Sequence, residues 1–252
     1  MAMTEAVAET APPLVWRGPV LIGRDAELAR VLGHLRAGVP RVVGVAAGPS
    51  LGKTLFLGGV EAAAREQGWL TARRDPAKGS LTIASHTTEE ELVEQVRSLL
   101  GMPGSAPGDR LGRNAAEVPP ARRLVEELAT RGPTLLLIDD FRPTEAVREW
   151  LTARFVPELK QARTPLVGVV AGLTDAIEPL APVWDDVVAL GPLPERAVRA
   201  HFEAVGAACR PPLTAAEIDA YVADSLEKPH VLNALTMLLA ELSAAQAGAR
   251  PS

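Results

Sequence analysis

Ala47-Gly48-Pro49-Ser50-Leu51-Gly52-Lys53-Thr54 decides the fold of this 252-residue chain through what stands on either side of it. Before it, Arg41 to Ala46 (RVVGVA) is a β-branched run, the pattern of a buried strand. After it, Leu55 to Glu66 carries Leu57, Val60 and Ala64 at helical spacing. Strand, glycine-containing loop and helix in direct succession make one unit of an alternating α/β chain.

The alternation continues outward. Asp25 to Ala37 places Leu28, Val31, Leu32 and Leu35 on one helical stripe, closed by Gly38 and Pro40. Downstream, Trp69 to Ala72 reads as a short strand and Leu81 to Ala84 as a possible further one. Thr87 or Thr88 caps a helix from Glu89 that turns Leu92, Val96 and Leu99/Leu100 inward. Residues 101–120, rich in glycine and proline, read as a long surface loop, and Ala121 to Ala129 resumes a helix. Thr134 to Asp139 (TLLLID) is an apolar strand buried on both faces. Val147, Trp150, Leu151 and Phe155 stripe another helix, and Leu166 to Ala171 and Val187 to Leu190 complete five strands. Strands alternating with helices predict a mostly parallel sheet covered on both faces. After Gly191-Pro192-Leu193-Pro194 only helical patterns remain, at Glu195 to Val205, Ala215 to Leu226 and His230 to Leu242. In the last of these Val231, Leu235, Leu238/Leu239 and Leu242 are expected to face inward. The expected organisation is a disordered tail at 1–16, a sheet domain at 17–192, a helical domain at 193–246 and a tail at 247–252.

The opening octapeptide resembles a Walker A phosphate loop, with Ala47 where the first glycine usually stands. Such a loop aims backbone N–H groups at an anion, and the helix beneath adds positive dipole character. The resemblance gives Gly48, Pro49, Ser50, Leu51, Gly52, Lys53, Thr54 and Leu55 to nucleotide binding. Lys53 would reach the β- and γ-phosphates, and the Thr54 hydroxyl would take a magnesium position. Leu135-Leu136-Leu137-Ile138-Asp139-Asp140, four apolar residues and two acids, is similar to a Walker B strand. By that likeness Asp139 is the second magnesium residue. Asp140 stands where a second acid, often the longer glutamate, orients the attacking water. Lys53, Asp139 and Asp140 are therefore the candidate catalytic set.

Val20-Leu21-Ile22-Gly23-Arg24-Asp25-Ala26-Glu27-Leu28 is similar to a segment preceding the first helix in STAND signalling ATPases and the origin-recognition branch of AAA+ proteins. The resemblance puts Val20, Leu21 and Ile22 near the base and has Gly23 and Arg24 shape the turn. Glu227-Lys228-Pro229-His230 resembles the "G-x-P" lid motif of STAND proteins, with Lys228 replacing glycine, so Pro229 and His230 become candidate nucleotide contacts. The implied fold is a three-layer P-loop NTPase with a five-stranded sheet and a small C-terminal helical lid. The implied cofactors are ATP or ADP with Mg²⁺.

Composition narrows the function. The formal charge is −5 and aromatics make up 4% of residues, so nothing draws the whole chain onto nucleic acid. No stretch has the 18 consecutive apolar residues of a membrane span. The single cysteine, Cys209, closes no intrachain disulfide, and a reducing cytoplasm is expected. The leading expectation is a slowly hydrolysing, ATP-dependent signalling or assembly switch that closes on Mg-ATP. A separately encoded effector or sensor partner is expected because signalling relatives carry such parts, and a homo-oligomer is possible. Two alternatives stay open: an initiator- or loader-like AAA+ ATPase acting on nucleic acid, and a nucleotide-stabilised scaffold without turnover.

Overall fold

The expected alternation folds into one sheet in which every neighbouring pair of strands is parallel. The computed structural model describes residues 21–72, 89–100, 102, 119–142, 144–209 and 211–248. Its strands are β1 (Arg41–Ala47), β2 (Leu70–Ala72), β3 (Thr134–Phe141), β4 (Leu166–Leu173) and β5 (Asp186–Leu190), in spatial order β2-β3-β4-β1-β5. The expected tail at 1–16, Val20, the strand at 81–84, the caps at Thr87 and Thr88, almost all of the 101–120 loop and the residues from 249 lie outside the described residues.

β1 lies between β4 and β5, and its residues from Val42 to Ala47 are buried. Burial on both faces is why β1 reads as an unbroken apolar run rather than an alternation. On one face Val42, Ala46, Leu136, Ile138 and Val170 join a core with α3 (Glu89–Leu99), α4 (Pro120–Ala129), the helical stretch from Glu145 to Lys160 and α7 (Thr174–Ile177). The residues of opposite parity, Val43, Val45, Leu135, Leu137 and Val169, are equally buried. On that second face α2 (Lys53–Glu66) packs across β2, β3 and β4, and α1 (Asp25–Arg36) against α2 and β5.

The stretch from Glu145 is α5 (Glu145–Trp150), a π-helical turn at Leu151–Phe155 and α6 (Val156–Lys160). Pro157 explains the wide turn. A proline inside an α-helix lacks its N–H and collides with the carbonyl four residues back. Widening the preceding turn, with the Val156 N–H donating to the Leu151 carbonyl, accommodates the ring without breaking the helix. Leu151, Phe155 and Leu159 stay buried. At the sheet edge, Asp186 accepts from Arg30 Nε at 2.7 Å and pairs with His34 Nε2 at 3.0 Å. Burial alone would raise the Asp186 pKa, but bonds from Arg30 and His34 hold it below the usual carboxylate range.

The chain divides into two units, Arg24–Gly191 and a helical unit of the described residues 21–23 with those from Pro192 onward. Leu21 to Gly23, expected within the sheet domain, thus belong with the helices. The helical unit contains α8 (Glu195–Ala208), α9 (Ala215–Glu227) and α10 (Val231–Gly248). Its core holds Val198, Phe202, Val205, Val222, Leu232 and Leu239, with Ile22 packed against it. The Thr214 hydroxyl and Glu217 form a reciprocal capping box that starts α9.

The inward face of α10 differs from expectation. Leu238 and Leu242 are 49% and 50% exposed, while Leu232, Thr236, Leu239 and Ser243 are buried. Thr236 fits the core because its hydroxyl donates to the Leu232 carbonyl at 2.9 Å and sits 2.8 Å from His201 Nε2. With apolar residues nearly all round the helix, these small polar groups mark the inner face.

Candidate functional site

The 47–54 loop leaves the C-terminal end of β1 and re-enters regular structure at Lys53, the first residue of α2. Ser50 and Gly52 both adopt left-handed backbone, with φ of +59° and +83°. Departures of this kind turn successive N–H groups toward one side of the chain, the geometry of an anion nest. Gly52 also begins the helix, its carbonyl accepting from the Phe56 N–H at 2.8 Å. No side chain caps the start of α2, and its first turn holds no acid. The dipole and first N–H groups of α2 are therefore not neutralised by its own first turn.

Lys53 points back over this loop, its Nζ donating to the Gly48 carbonyl at 3.0 Å. That direction follows from the helix, in which side chains lean toward the N-terminus. Thr54 follows on the first turn and is exposed, and Pro49 and Ser50 are exposed within the loop. Ala47, in place of the usual glycine, is the last residue of β1, paired with Leu173 and Leu190 in extended backbone. Nothing there requires glycine.

The acid pair lies at the C-terminal end of β3, just before Phe141, at the same edge of the sheet. Gly172 of β4 is level with Ala46 on one side and Phe141 on the other, so the acids lie about 10 Å from β1 across one intervening strand. β3 is bulged between Ile138 and Phe141. Asp140 occupies left-handed backbone, φ +49°, and its N–H donates to Asp139 Oδ1 at 2.9 Å. The Asp140 carboxylate is exposed and accepts from Arg142 Nε at 3.0 Å. Asp139 belongs by parity with Leu135 and Leu137, on the face where α2 packs.

Other sequence candidates take different places. Arg24 is 3% exposed, donating to the Gly191 carbonyl and, at 3.2 Å, to Glu27, so it joins the start of α1 to the end of β5. Leu21, Ile22, Gly23, Pro229 and His230 belong to the helical unit. Gly23 has φ +62°, and a side chain there would put its Cβ 2.9 Å from Ala197 Cβ. Pro229 is half-buried and His230 exposed in the turn between α9 and α10. Lys228, in place of the usual glycine, ends α9 at φ −130°, a conformation open to any residue. The bulge at Asp140 is what sequence reading missed; its one signal was Phe141, which simple alternation puts on the wrong face.

No family model matches the chain, and neither does any curated protein. It is similar to solved structures of AAA+ P-loop ATPases. Against a point mutant of Thermotoga maritima RuvB the identity is 15% and the TM-score 0.49, over 86% of this chain and 62% of that one. Against AMPPCP-bound DnaA from Aquifex aeolicus the values are 12% and 0.46, over 95% and 70%. For Drosophila ORC bound to DNA they are 15% and 0.44, over 88% and 56%. The sheet unit itself is a parallel five-stranded sheet in the order β2-β3-β4-β1-β5 with helices on both faces. This chain spans less than two thirds of the RuvB chain, and likeness at such identity concerns the fold alone.

Proposed function

We propose that the chain binds Mg-ATP on the 47–54 loop and hydrolyses it slowly, as a nucleotide-dependent switch for a protein partner. One observation carries the reading: left-handed Ser50 and Gly52 set a ring of N–H groups at the uncapped start of α2, with Lys53 folded over them. A polyphosphate supplies the acceptors such a ring lacks. Lys53 would exchange the Gly48 carbonyl for phosphate oxygens. Thr54 and Asp139 offer a hydroxyl and a carboxylate, hard oxygens of the kind Mg²⁺ prefers. Among the described residues no three acidic, histidine or cysteine side chains converge, so water and phosphate oxygens would complete the shell. When bound, the ion neutralises charge on the phosphates.

Asp140 supports the slow rate. It is one methylene shorter than glutamate, and Arg142 already engages its carboxylate. The protein chain here holds and orients, while water would be activated weakly. The deciding experiment identifies the nucleotide that copurifies, weighs the complex with and without it, and follows phosphate release from Mg-ATP. Bound ADP or ATP with slow release is the expected result. No nucleotide and no affinity for Mg-ATP would overturn the reading.

A further inference from the structure

We infer that Asp140 acts through its backbone: the left-handed bulge at this residue, admitted by the missing side chain of Gly172, aims Asp139 at the divalent ion. Asp140 and Gly172 are then positioning residues for the metal. The inference rests on the reading of the 47–54 loop as a Mg-nucleotide site.

Side-chain parity along β3 reveals the bulge. Along β3, Leu136 and Ile138 face the core shared with α4 and α7, and strict alternation would put Phe141 on the opposite face. Phe141 nevertheless lies in that same core, 1% exposed and edge-on to Trp184 with ring centroids 6.4 Å apart. One extra residue between Ile138 and Phe141 accounts for the change of face, and the register shift is located there. Phe141 therefore anchors the far side of the bulge.

β4 approaches the bulge closely at Gly172. A Cβ on Gly172 would lie 2.9 Å from the Phe141 carbonyl oxygen and 3.2 Å from Ile177 Cγ1. The backbone oxygen cannot swing aside as a flexible side chain would. Any side chain at 172 must displace the bulge. Gly168, on the same face of β4, meets nothing closer than 3.6 Å, so the demand is local.

The bulge also acts on Asp139. Turning Asp140 into left-handed backbone directs its N–H at Asp139 Oδ1, 2.9 Å away. One carboxylate oxygen is thereby fixed by the main chain. The other, Oδ2, has no protein partner among the described residues and is oriented by the same bond. A regular strand would carry the Asp140 N–H into the ladder and leave Asp139 free to rotate.

The test compares variants that lack the Asp140 carboxylate equally but differ in tolerance of left-handed backbone. Asp140→Gly accepts φ near +49° freely, whereas Asp140→Val resists it. Calorimetry of ATP binding, with Mg²⁺ and with chelator, gives the factor by which Mg²⁺ tightens the nucleotide. Asp140→Gly is expected to keep that factor, and Asp140→Val to lose about 10-fold or more of it, the scale of losing a partner that orients a metal ligand. Gly172→Ala should behave as Asp140→Val, and Gly168→Ala as wild type, which keeps the test open if the valine variant does not fold. Binding with chelator should stay unchanged throughout. Equal Mg²⁺ factors in the glycine and valine variants, or an unaltered factor in Gly172→Ala, would overturn the inference. Wild type that binds no nucleotide would instead overturn the underlying site reading, and this inference with it.

Discussion

Replacing Lys53 by alanine tests the phosphate loop most directly, and the structure sets the size of the effect. Without nucleotide, Lys53 Nζ bonds the Gly48 carbonyl at 3.0 Å, a contact with a net value of about 1 kcal/mol. Binding exchanges it for charge-assisted bonds to phosphate worth about 1.5–3 kcal/mol each. With two such bonds, and allowing for the Gly48 contact given up, the alanine variant should bind Mg-ATP about 2–5 kcal/mol more weakly, or about 30- to 5,000-fold. The unliganded variant should change little, because the lost Gly48 bond is offset by removing a cation from the positive end of α2. The assay is titration calorimetry with thermal unfolding. At ATP near 100 times the wild-type Kd, ligand stabilises wild type by about 2.7 kcal/mol, and a variant weakened 100-fold by about 0.4 kcal/mol. The corresponding rise in Tm is several degrees for wild type and about one for the variant. A Lys53→Ala protein with normal unliganded Tm and a Kd within about 3-fold of wild type would refute the site.

Three further outcomes follow from the geometry. Gly23→Ala combines left-handed backbone, about 1–2 kcal/mol, with overlap onto Ala197 and Pro194, about 1–3 kcal/mol, so urea unfolding should show about 2–5 kcal/mol lost, and less than about 1 would contradict the packing. Burial lowers the His201 pKa from its ordinary value near 6.5, so the unfolded state takes up the proton first. Stability should therefore fall as pH drops through about 6.5 toward the lower folded value, then level off, and the slope should vanish in His201→Gln; stability unchanged from pH 7 to 5 in wild type would count against the buried histidine. Arg142→Ala should raise the rate of phosphate release by up to about 5-fold without changing ATP affinity, since an exposed pair is worth about 0–1 kcal/mol, and a slower variant would show that Arg142 assists instead of restraining Asp140.

Sequence reading succeeded where burial left one interpretation. β1, β3 and β4 are buried on both faces, so their apolar runs could belong only to inner strands of a parallel sheet. The strand–loop–helix unit around residues 47–54 was legible because its helix and strand stand directly against the loop. The same two-sided burial hid the slip in β3. In TLLLIDDF every position before the acids except the first is apolar, so neither face is marked and an inserted residue leaves no gap in the pattern. α10 failed for a related reason: apolar residues surround it, and the core selected Thr236 and Ser243, whose small volumes fit, over Leu238 and Leu242.

Departures from motif letters are better judged by backbone than by residue type. Ala47 and Lys228 replace glycines of the related patterns, yet their backbones are extended or at φ −130°, so neither exchange has a steric cost. Gly23 and Gly52 sit at φ +62° and +83°, and there glycine is retained. The aspartate at 140 obeys the same logic. At φ +49° the short Asx side chain is far better tolerated than most, because it bonds locally in left-handed backbone. Glutamate, with a longer side chain and no such local bond, would lose that advantage. The shorter acid at this position therefore has a cause in the chain itself. Phe141 must reach the core beside Trp184, the bulge lets it do so, and the bulge requires a residue that accepts a positive φ. Under the proposed reading, the shortened reach of the second acid follows from how β3 is packed.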